Sequence, residues 1–261
     1  MSEVSIQIVD KDKQVRSKRG GEREVHLCYE GSYQAGDTIK VLIGQKEQFY
    51  WLQLDDAVGR ALVYLTGDIE YTIPFEERRT NLSPKAFLGN RHYLFLKEAK
   101  DFEIQGYRNL ALNVCDYHGN ETCFPHAAAN VETRGEAVFA AKNAIDGVTM
   151  NSSHGEWPYE SWGINMQDDA KIRIDFGREV TVNQIILYTR ADFPHDNWWV
   201  KVSFTFSDGS SIDMALEKSC EPHSIKFKEK QIRFVEMHDM IKADAPSPFP
   251  ALTQIEVYGK G

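Results

Sequence analysis

Two segments in the second half of the chain combine tryptophan rings with charged and histidine side chains, at residues 154–159 and 190–199. An exposed aromatic ring can stack on the apolar C–H face of a sugar and contributes a large contact area. Ionised side chains make directional hydrogen bonds to sugar hydroxyls, and such bonds are stronger than those of neutral groups. The two segments together therefore predict a carbohydrate-binding surface.

Several side chains of these segments are suited to contact a sugar. Arg190 carries a planar fork of donors, and Asp192 and Asp196 can each accept hydrogen bonds from two hydroxyls. Trp157 or Trp198 would be the stacking platform. The predicted set is His154, Glu156, Trp157, Arg190, Asp192, His195, Asp196 and Trp198.

The same residues have structural alternatives. An Asp192–Arg190 or an Asp196–His195 pair would merely hold a long loop in shape. One of the adjacent Trp198 and Trp199 must face a core, because Trp199 leads into an alternating run. Trp162 is expected to pack under the sheet. These alternatives stay open at the level of the sequence.

Catalytic interpretations of the two segments have weaker support. Glu156, Glu160, Asp192 and Asp196 could include the carboxylate pair of a glycosidase, and the histidines with an aspartate could bind a transition metal. The chain has no HExxH, GxSxG, GxGxxG or GxxxxGK motif. We therefore expect the protein to bind carbohydrate without catalysis and not to be an enzyme. The alternatives are a glycoside hydrolase or esterase that acts in a cleft between domains, and a protein-adhesion module.

The elements that must position these residues are β-strands. Apolar residues alternate with polar ones at residues 25–29, 172–176 and 200–206, and turn signals such as residues 207–210 separate the runs. Many short strands with regular turns predict an all-β chain of two β-sandwich (jelly-roll) domains. The best helix candidate, residues 136–144, is expected to form one or two turns.

A domain boundary is predicted in the polar, turn-rich stretch at residues 116–130, after a predicted strand at residues 110–114. We place an N-terminal domain of unknown role at residues 1–118 and a second domain at residues 124–261. Cys115 and Cys123 flank the start of this stretch, and their spacing leaves both a disulfide and free thiols open.

Composition excludes some classes of function. The 261 residues carry a formal net charge of -9, whereas nucleic-acid binding needs a basic face. No apolar run approaches the roughly 20 residues of a membrane span, and the start of the chain has no signal-peptide pattern. The expected location is therefore the cytoplasm, or outside the cell for the processed form of a secreted protein; the oligomeric state is not predicted.

Ordered motifs in the second half resemble a known family. They are Asn-Ala-Ile-Asp-Gly at residues 143–147, a tryptophan-containing loop, Ile-Arg-Ile-Asp-Phe-Gly at residues 172–177, Ser-Asp-Gly at residues 207–209 and Ile-Glu-Val-Tyr-Gly at residues 255–259. This order is similar to the discoidin, or coagulation factor 5/8 C-type, galactose-binding-like family and to carbohydrate-binding module family 32. The resemblance covers about half of the chain. It implies an eight-stranded jelly roll with binding loops at one end.

The resemblance also implies a structural calcium ion near the Asp146–Gly147 turn. Calcium prefers six to eight oxygen ligands, many of them backbone carbonyls, and a turn at residues 143–147 can aim several carbonyls inward. The expected ligands are Asn143, Asp146, Ser152 and Glu256. Alternatively, Asp146 and Gly147 merely end the short helix. The tryptophan loop is longer than in the family, so either Trp157 or Trp162 takes the family position.

Overall fold

The computed structural model describes residues 3–153, 155–191 and 196–261. Strands account for 47% of the chain and helical segments for 7%, which confirms the predicted all-β class. The described residues form two hydrophobic cores: one gathers side chains from residues 4–123, and the other gathers Leu110 and Ala111 with side chains from residues 127–257. No helix in these ranges is long and apolar enough to cross a membrane.

The N-terminal half packs two antiparallel sheets around the first core. Alternation is clear in its strands; every second residue of β3 is buried, as expected when one face of a sheet covers a core. The sheet orders are β2-β1-β4-β7 and β10-β6-β5-β8-β3. The strands are β1 (Val4–Val9), β2 (Val15–Gly21), β3 (Glu24–Glu30), β4 (Thr38–Leu42), β5 (Gln48–Gln53), β6 (Ala61–Leu65), β7 (Ile69–Thr72), β8 (Arg91–Glu98), β9 (Arg108–Asn109) and β10 (Cys123–Phe124).

The C-terminal half is built on two long strands that bend. The first half of β13 pairs with β11 and its second half pairs with β17, with register breaks against β16 between residues 175 and 180 and between residues 182 and 184. One hydrogen-bonded sheet, in the order β12-β17-β13-β16-β14-β15, therefore wraps the second core. The strands are β11 (His126–Ala129), β12 (Trp162–Gly163), β13 (Ile172–Thr189), β14 (Trp199–Phe206), β15 (Ser211–Ala215), β16 (His223–Lys242) and β17 (Ala251–Lys260).

The helical segments are short. The helix α1 spans Asp101–Ile104, and single 3-10 turns span Glu76–Arg79, Thr133–Gly135, Ala137–Phe139 and Ala141–Ile145. The last two turns confirm the short helical segment expected at residues 136–144.

Contacts between the halves are made by backbone and by buried amides. Strand β9 pairs with β17. The buried Asn81 donates from Nδ2 to Asn143 Oδ1 at 2.7 Å. Leu110 and Ala111 belong to the second core, whereas Cys115 and Cys123 belong to the first, so the domain boundary at residues 118–124 stays a prediction.

The prediction of a strand at residues 110–114 is wrong. Regular pairing ends at Asn109, whose side-chain Oδ1 accepts from Val257 N and from Ala111 N, each at 3.0 Å. Further along, Asn113 Oδ1 accepts from Cys115 N at 3.0 Å and its Nδ2 donates to Pro125 O at 2.8 Å, so this segment forms a turn. Leu112 is 37% exposed instead of facing a core. Cys115 and Cys123 are buried free thiols.

Candidate functional site

Three loops of the C-terminal half form one surface. Thr189 at the end of β13 pairs with Leu252, and Trp199 at the start of β14 pairs with Lys242, so the connections at residues 190–198 and 243–250 leave the same end of the sandwich. Arg190 donates from its guanidinium to Tyr159 O at 3.3 Å, which brings residues 151–160 alongside. We call the described residues of these three loops the end-loop surface.

Asn197 ties two of the loops together. Its backbone N donates to Phe249 O at 3.2 Å, and its Nδ2 donates to Ser247 O at 2.7 Å and to Ala243 O at 3.3 Å. Its Oδ1 accepts from Trp198 N at 2.7 Å. The sequence analysis missed Asn197; its only signal was an amide between the polar Asp196 and the tryptophan pair.

Arg190 and Asp196 are brought together, but inside the loop. Their side chains are 3% and 6% exposed, and Arg190 Nε lies 3.5 Å from Asp196 Oδ2. The guanidinium carbon also lies 4.7 Å from the centroid of the Tyr159 ring. The sequence predicted different partners for these two residues, Asp192 for Arg190 and His195 for Asp196. The burial of the observed pair favours a role in holding the loop in shape over direct contact with a sugar.

The exposed groups of the end-loop surface are aromatic and acidic. Trp157 is 39% exposed and Phe249 is 51% exposed, and Glu156 is also exposed. Trp198 is half-buried, with Lys218 Nζ 5.1 Å from its ring. Phe249 was missed because a single phenylalanine between prolines gives no periodic signal.

The core position expected for Trp162 is confirmed, because its side chain is fully buried. One of the adjacent Trp198 and Trp199 was expected in the core, and Trp199 is the fully buried one. Three predicted sugar contacts, His154, Asp192 and His195, lie outside the described residues.

Two carboxylates meet beside the predicted calcium turn. Burial, and then the negative charge of Glu160, hold the pKa of Asp146 well above its usual range. Burial also raises the pKa of Glu160. Glu160 Oε2 accepts from Tyr159 N at 2.7 Å, but its Oε1 is buried and has no hydrogen-bond partner among the described residues. Glu160 was considered only as half of a catalytic pair in the sequence analysis.

The other predicted calcium ligands are placed differently. The Asn143 side chain is fully hydrogen-bonded, because Oδ1 accepts from Asn81 and Nδ2 donates to Ala137 O at 2.8 Å. Ser152 is exposed. Glu256 is half-buried, and burial raises its pKa.

The contact from β17 to the Asp-Gly turn is made by Gln254, whose Oε1 accepts from Gly147 N at 3.1 Å. Glu256 lies two residues further along the strand, a distance of roughly 7 Å.

A second cluster of possible metal ligands lies in the N-terminal half. Within the described ranges, Asp55, Asp56 and His92 are the one group of three such side chains whose ligand atoms lie within 4.8 Å of one another. Asp55 Oδ2 is 3.1 Å from His92 Nδ1, and both side chains are 1% exposed. This buried pair is remote in sequence from the end-loop surface, and the sequence analysis did not identify it.

Comparisons with known proteins concern mainly the C-terminal half. Residues 124–246 match the profile of a family described as a domain of unknown function, DUF7402. No curated protein matches the chain.

Similar solved structures include a point mutant of chitosan-binding module 1 of a chitosanase/glucanase from Paenibacillus sp. IK-5, with 22% identity over 59% of this chain and 100% of that chain and a TM-score of 0.42. A fucose-binding module from Streptococcus pneumoniae has 17% identity over 59% and 98% of the two chains and a TM-score of 0.40. A family 32 carbohydrate-binding module from C. perfringens NanJ, in complex with galactose, has 17% identity over 51% and 91% and a TM-score of 0.38. Identities this low leave the ligand to be argued from this chain's own residues.

Proposed function

We propose that this protein binds carbohydrate through the end-loop surface and does not transform it. The observation that carries the proposal is the Trp157 ring, which is 39% exposed on a loop held by the buried Arg190 through Tyr159 O. A large aromatic ring on a fixed loop is a preformed platform for stacking on a sugar, and preorganisation lowers the entropic cost of binding.

The polar groups around this platform favour a ligand rich in hydroxyls. Glu156 is exposed beside Trp157, and a carboxylate accepts hydrogen bonds from hydroxyl pairs. His154, Asp192 and His195 remain proposed contacts, with Trp198 as a second ring. Binding at such an open surface is expected to be weak for each site, because a shallow contact buries little area.

Binding is favoured over hydrolysis because two of the candidate carboxylates, Asp196 and Glu160, are already engaged within the protein. Asp196 pairs with Arg190, and Glu160 accepts from the backbone of its own loop. A glycosidase needs two carboxyl groups that flank the bond to be cleaved. Both of these side chains are instead buried within the protein.

The proposal includes a structural calcium ion at the Asp146–Gly147 turn. Calcium binds carboxylate and carbonyl oxygens, and the buried carboxyl of Glu160, whose charge raises the pKa of Asp146, fits that chemistry. Asp146 and Glu160 would hold the ion by their carboxylates, and Asn143 could contribute only its backbone oxygen, since its side chain is already bonded. Bound calcium would neutralise the two carboxylates and fix the tryptophan loop.

A glycan array, first with calcium and then with a chelator, tests the proposal. We expect the protein to bind a defined class of glycan, and Trp157→Ala to abolish that binding. Phe102→Ala is the matched control, because Phe102 is 74% exposed in the N-terminal half. Absence of binding to every glycan, or unchanged binding by Trp157→Ala, would refute the proposal. Loss of binding with chelator would support only the calcium part.

A further inference from the structure

A cavity of about 230 Å³ lies between the two halves of the molecule, away from the end-loop surface. Strands β5 and β6 of the N-terminal half form one wall through Phe49, Trp51 and Leu62. Residues 108–112, Phe124 and Arg178 form the other sides. The volume is below the roughly 300–1,000 Å³ of pockets for drug-sized ligands, so a ligand here must be small.

The charged groups lining this cavity are mainly arginines. Arg60, Arg108 and Arg178 line it, with Glu103 as the acidic lining residue; three positive charges and one negative charge leave a net charge of about +2. Glu103 is already engaged, because its carboxylate accepts from Trp51 Nε1 at 3.1 Å and from Lys100 N at 2.8 Å. We call this site the arginine cleft.

Arg178 is the most unusual of the three. It donates from a terminal nitrogen to Phe176 O at 3.0 Å, but its Nε is buried and has no hydrogen-bond partner among the described residues. Burial and the positive charge of Arg108 lower the pKa of Arg178 to about 10. A guanidinium in this position is costly unless an anion faces it.

Arg108 and Arg178 meet on one aromatic ring. Their guanidinium carbons lie 5.7 and 4.3 Å from the centroid of Phe49. Arg108 donates to the backbone oxygens of Ile104 and Gly261, not to a side-chain carboxylate. Burial lowers the pKa of Arg108 as well. Two like charges are therefore held together without a side-chain acid to separate them.

Six of the ten other arginines are paired with carboxylates in the described ranges, whereas Arg19, Arg78, Arg79 and Arg233 have no such pair there. These pairs are Arg16–Asp37, Arg23–Glu98, Arg91–Glu30, Arg134–Glu136, Arg173–Glu236 and Arg190–Asp196. The arginine cleft is distinguished by bringing three arginines without a carboxylate pair to one cavity, where a ligand has access.

The geometry of the cleft is built into the backbone. Gly177 adopts φ +67, and a Cβ atom there would come within 2.4 Å of the Phe124 ring. Only glycine allows both this conformation and this close approach. Phe124 therefore packs directly against Gly177 at the bend of β13, and the next residue, Arg178, lies at the cavity.

We propose that the arginine cleft binds a small oxyanion-bearing ligand, with a carboxylate, sulfate or phosphate group facing the guanidinium groups. Arginine binds such groups through paired, charge-assisted hydrogen bonds. The rings of Phe49 and Trp51 and the side chain of Leu62 would contact an apolar or ring-shaped body. This site is separate from the proposed carbohydrate surface and does not depend on it.

The test follows the indole N–H resonance of Trp51 by NMR during titration with sodium glucuronate, inorganic phosphate or sodium sulfate, with glucose as the neutral probe. At least one anion is expected to shift this resonance, and glucose is not. A response to glucuronate alone identifies an organic carboxylate, and a response to phosphate or sulfate identifies a tetrahedral oxyanion. No shift with any of the anions at millimolar concentration would overturn the proposal.

Variants locate the site. Arg178→Gln, and independently the exposed Arg60→Gln, are expected to weaken anion binding about tenfold or more, the loss typical of one charge-assisted hydrogen bond. Arg91→Gln is the control, because it removes the same charge from an exposed pair with Glu30. If Arg178→Gln and Arg60→Gln both bind as tightly as Arg91→Gln, the anion does not occupy the cleft.

Discussion

The end-loop surface and the arginine cleft use arginine in opposite ways. At the end loops, Arg190 is buried against Asp196 and a backbone oxygen, and the exposed groups are Trp157, Phe249 and Glu156. In the cleft, Arg178 is half-buried beside another arginine. The charge of Arg190 is compensated by Asp196 within the protein, whereas the charge of Arg178 can still be compensated by a negatively charged ligand.

The difference shows that the burial of a charged side chain does not by itself indicate a binding site. A buried ion pair holds a loop and leaves recognition to its exposed neighbours. An unpaired cation at a cavity indicates binding more directly, because something of opposite charge must reduce its cost. The two regions should therefore respond differently to the removal of their arginines.

The largest expected effect is on stability at the end loops. Arg190→Ala should lower the free energy of unfolding by about 3–5 kcal/mol, because it leaves Asp196 as a buried carboxylate without its cation. Urea denaturation measures this loss. Arg91→Ala, which breaks an exposed pair, should cost less than about 1 kcal/mol. Equal losses in the two variants would contradict the structural role of Arg190.

The next effect is on carbohydrate binding. Trp157→Ala should weaken binding to the glycan that the array identifies by about tenfold or more, since stacking area is lost. Its free energy of unfolding should fall less than that of Arg190→Ala, because 39% of the residue is exposed and no buried charge is left behind. Calorimetric titration measures the affinity. A large loss of stability in this variant would show that the ring supports the fold and would leave its role in binding unproved.

A smaller effect is expected on stability in the cleft. Arg178→Gln should leave the free energy of unfolding within about 1 kcal/mol of wild type, because the lost contact with the Phe49 ring is offset by relief of repulsion from Arg108. The same urea series measures this change. A loss as large as that of Arg190→Ala would mean that Arg178 is a structural residue, and the contrast between the two regions would fail.

The smallest effect concerns the segment that joins the two halves. Asp116 Oδ1 lies 2.8 Å from His126 Nδ1. Burial favours neutral His126, but the hydrogen bond and charge of Asp116 outweigh it and raise the pKa of the imidazole. A raised pKa in the folded state gives stability that is fully present below the unfolded value of about 6.5 and is lost as the pH rises through the folded value.

Urea unfolding between pH 5.5 and 8.5 should therefore show this stabilisation decline as the pH rises. His126→Asn should remove that part of the pH dependence. A pH profile that the substitution leaves unchanged would assign the dependence to other groups.

The strand architecture was predictable from sequence because alternation has a period of two and turns are marked by glycine and aspartate. The sequence also predicted core positions for Trp162 and for one of the Trp198–Trp199 pair. The strand at residues 110–114 was wrong because apolar alternation says nothing about side-chain hydrogen bonds to the backbone, such as those that the Asn109 side chain makes where the pairing ends.

The candidate sites were predictable only in part. The composition of the end loops identified Trp157, but it could not show that Arg190 is buried by a partner six residues away. Gln254 and Glu256 share one side of β17, and only the folded structure shows which of them reaches Gly147. Arg108 and Arg178 are 70 residues apart in the sequence, so no local sequence pattern predicts the cleft that they form.

The five tryptophans of the chain give one measurement that tests the central claim, binding of carbohydrate at the end loops. Trp157 and Trp198 lie on that surface, Trp162 and Trp199 are in the second core, and Trp51 lines the arginine cleft. The indole N–H resonances should be followed by NMR while the neutral glycan identified on the array is added. We expect Trp157 to shift most, Trp198 to follow, and Trp51 to stay in place. A shift of Trp51 without a shift of Trp157 would place carbohydrate in the cleft and contradict the account.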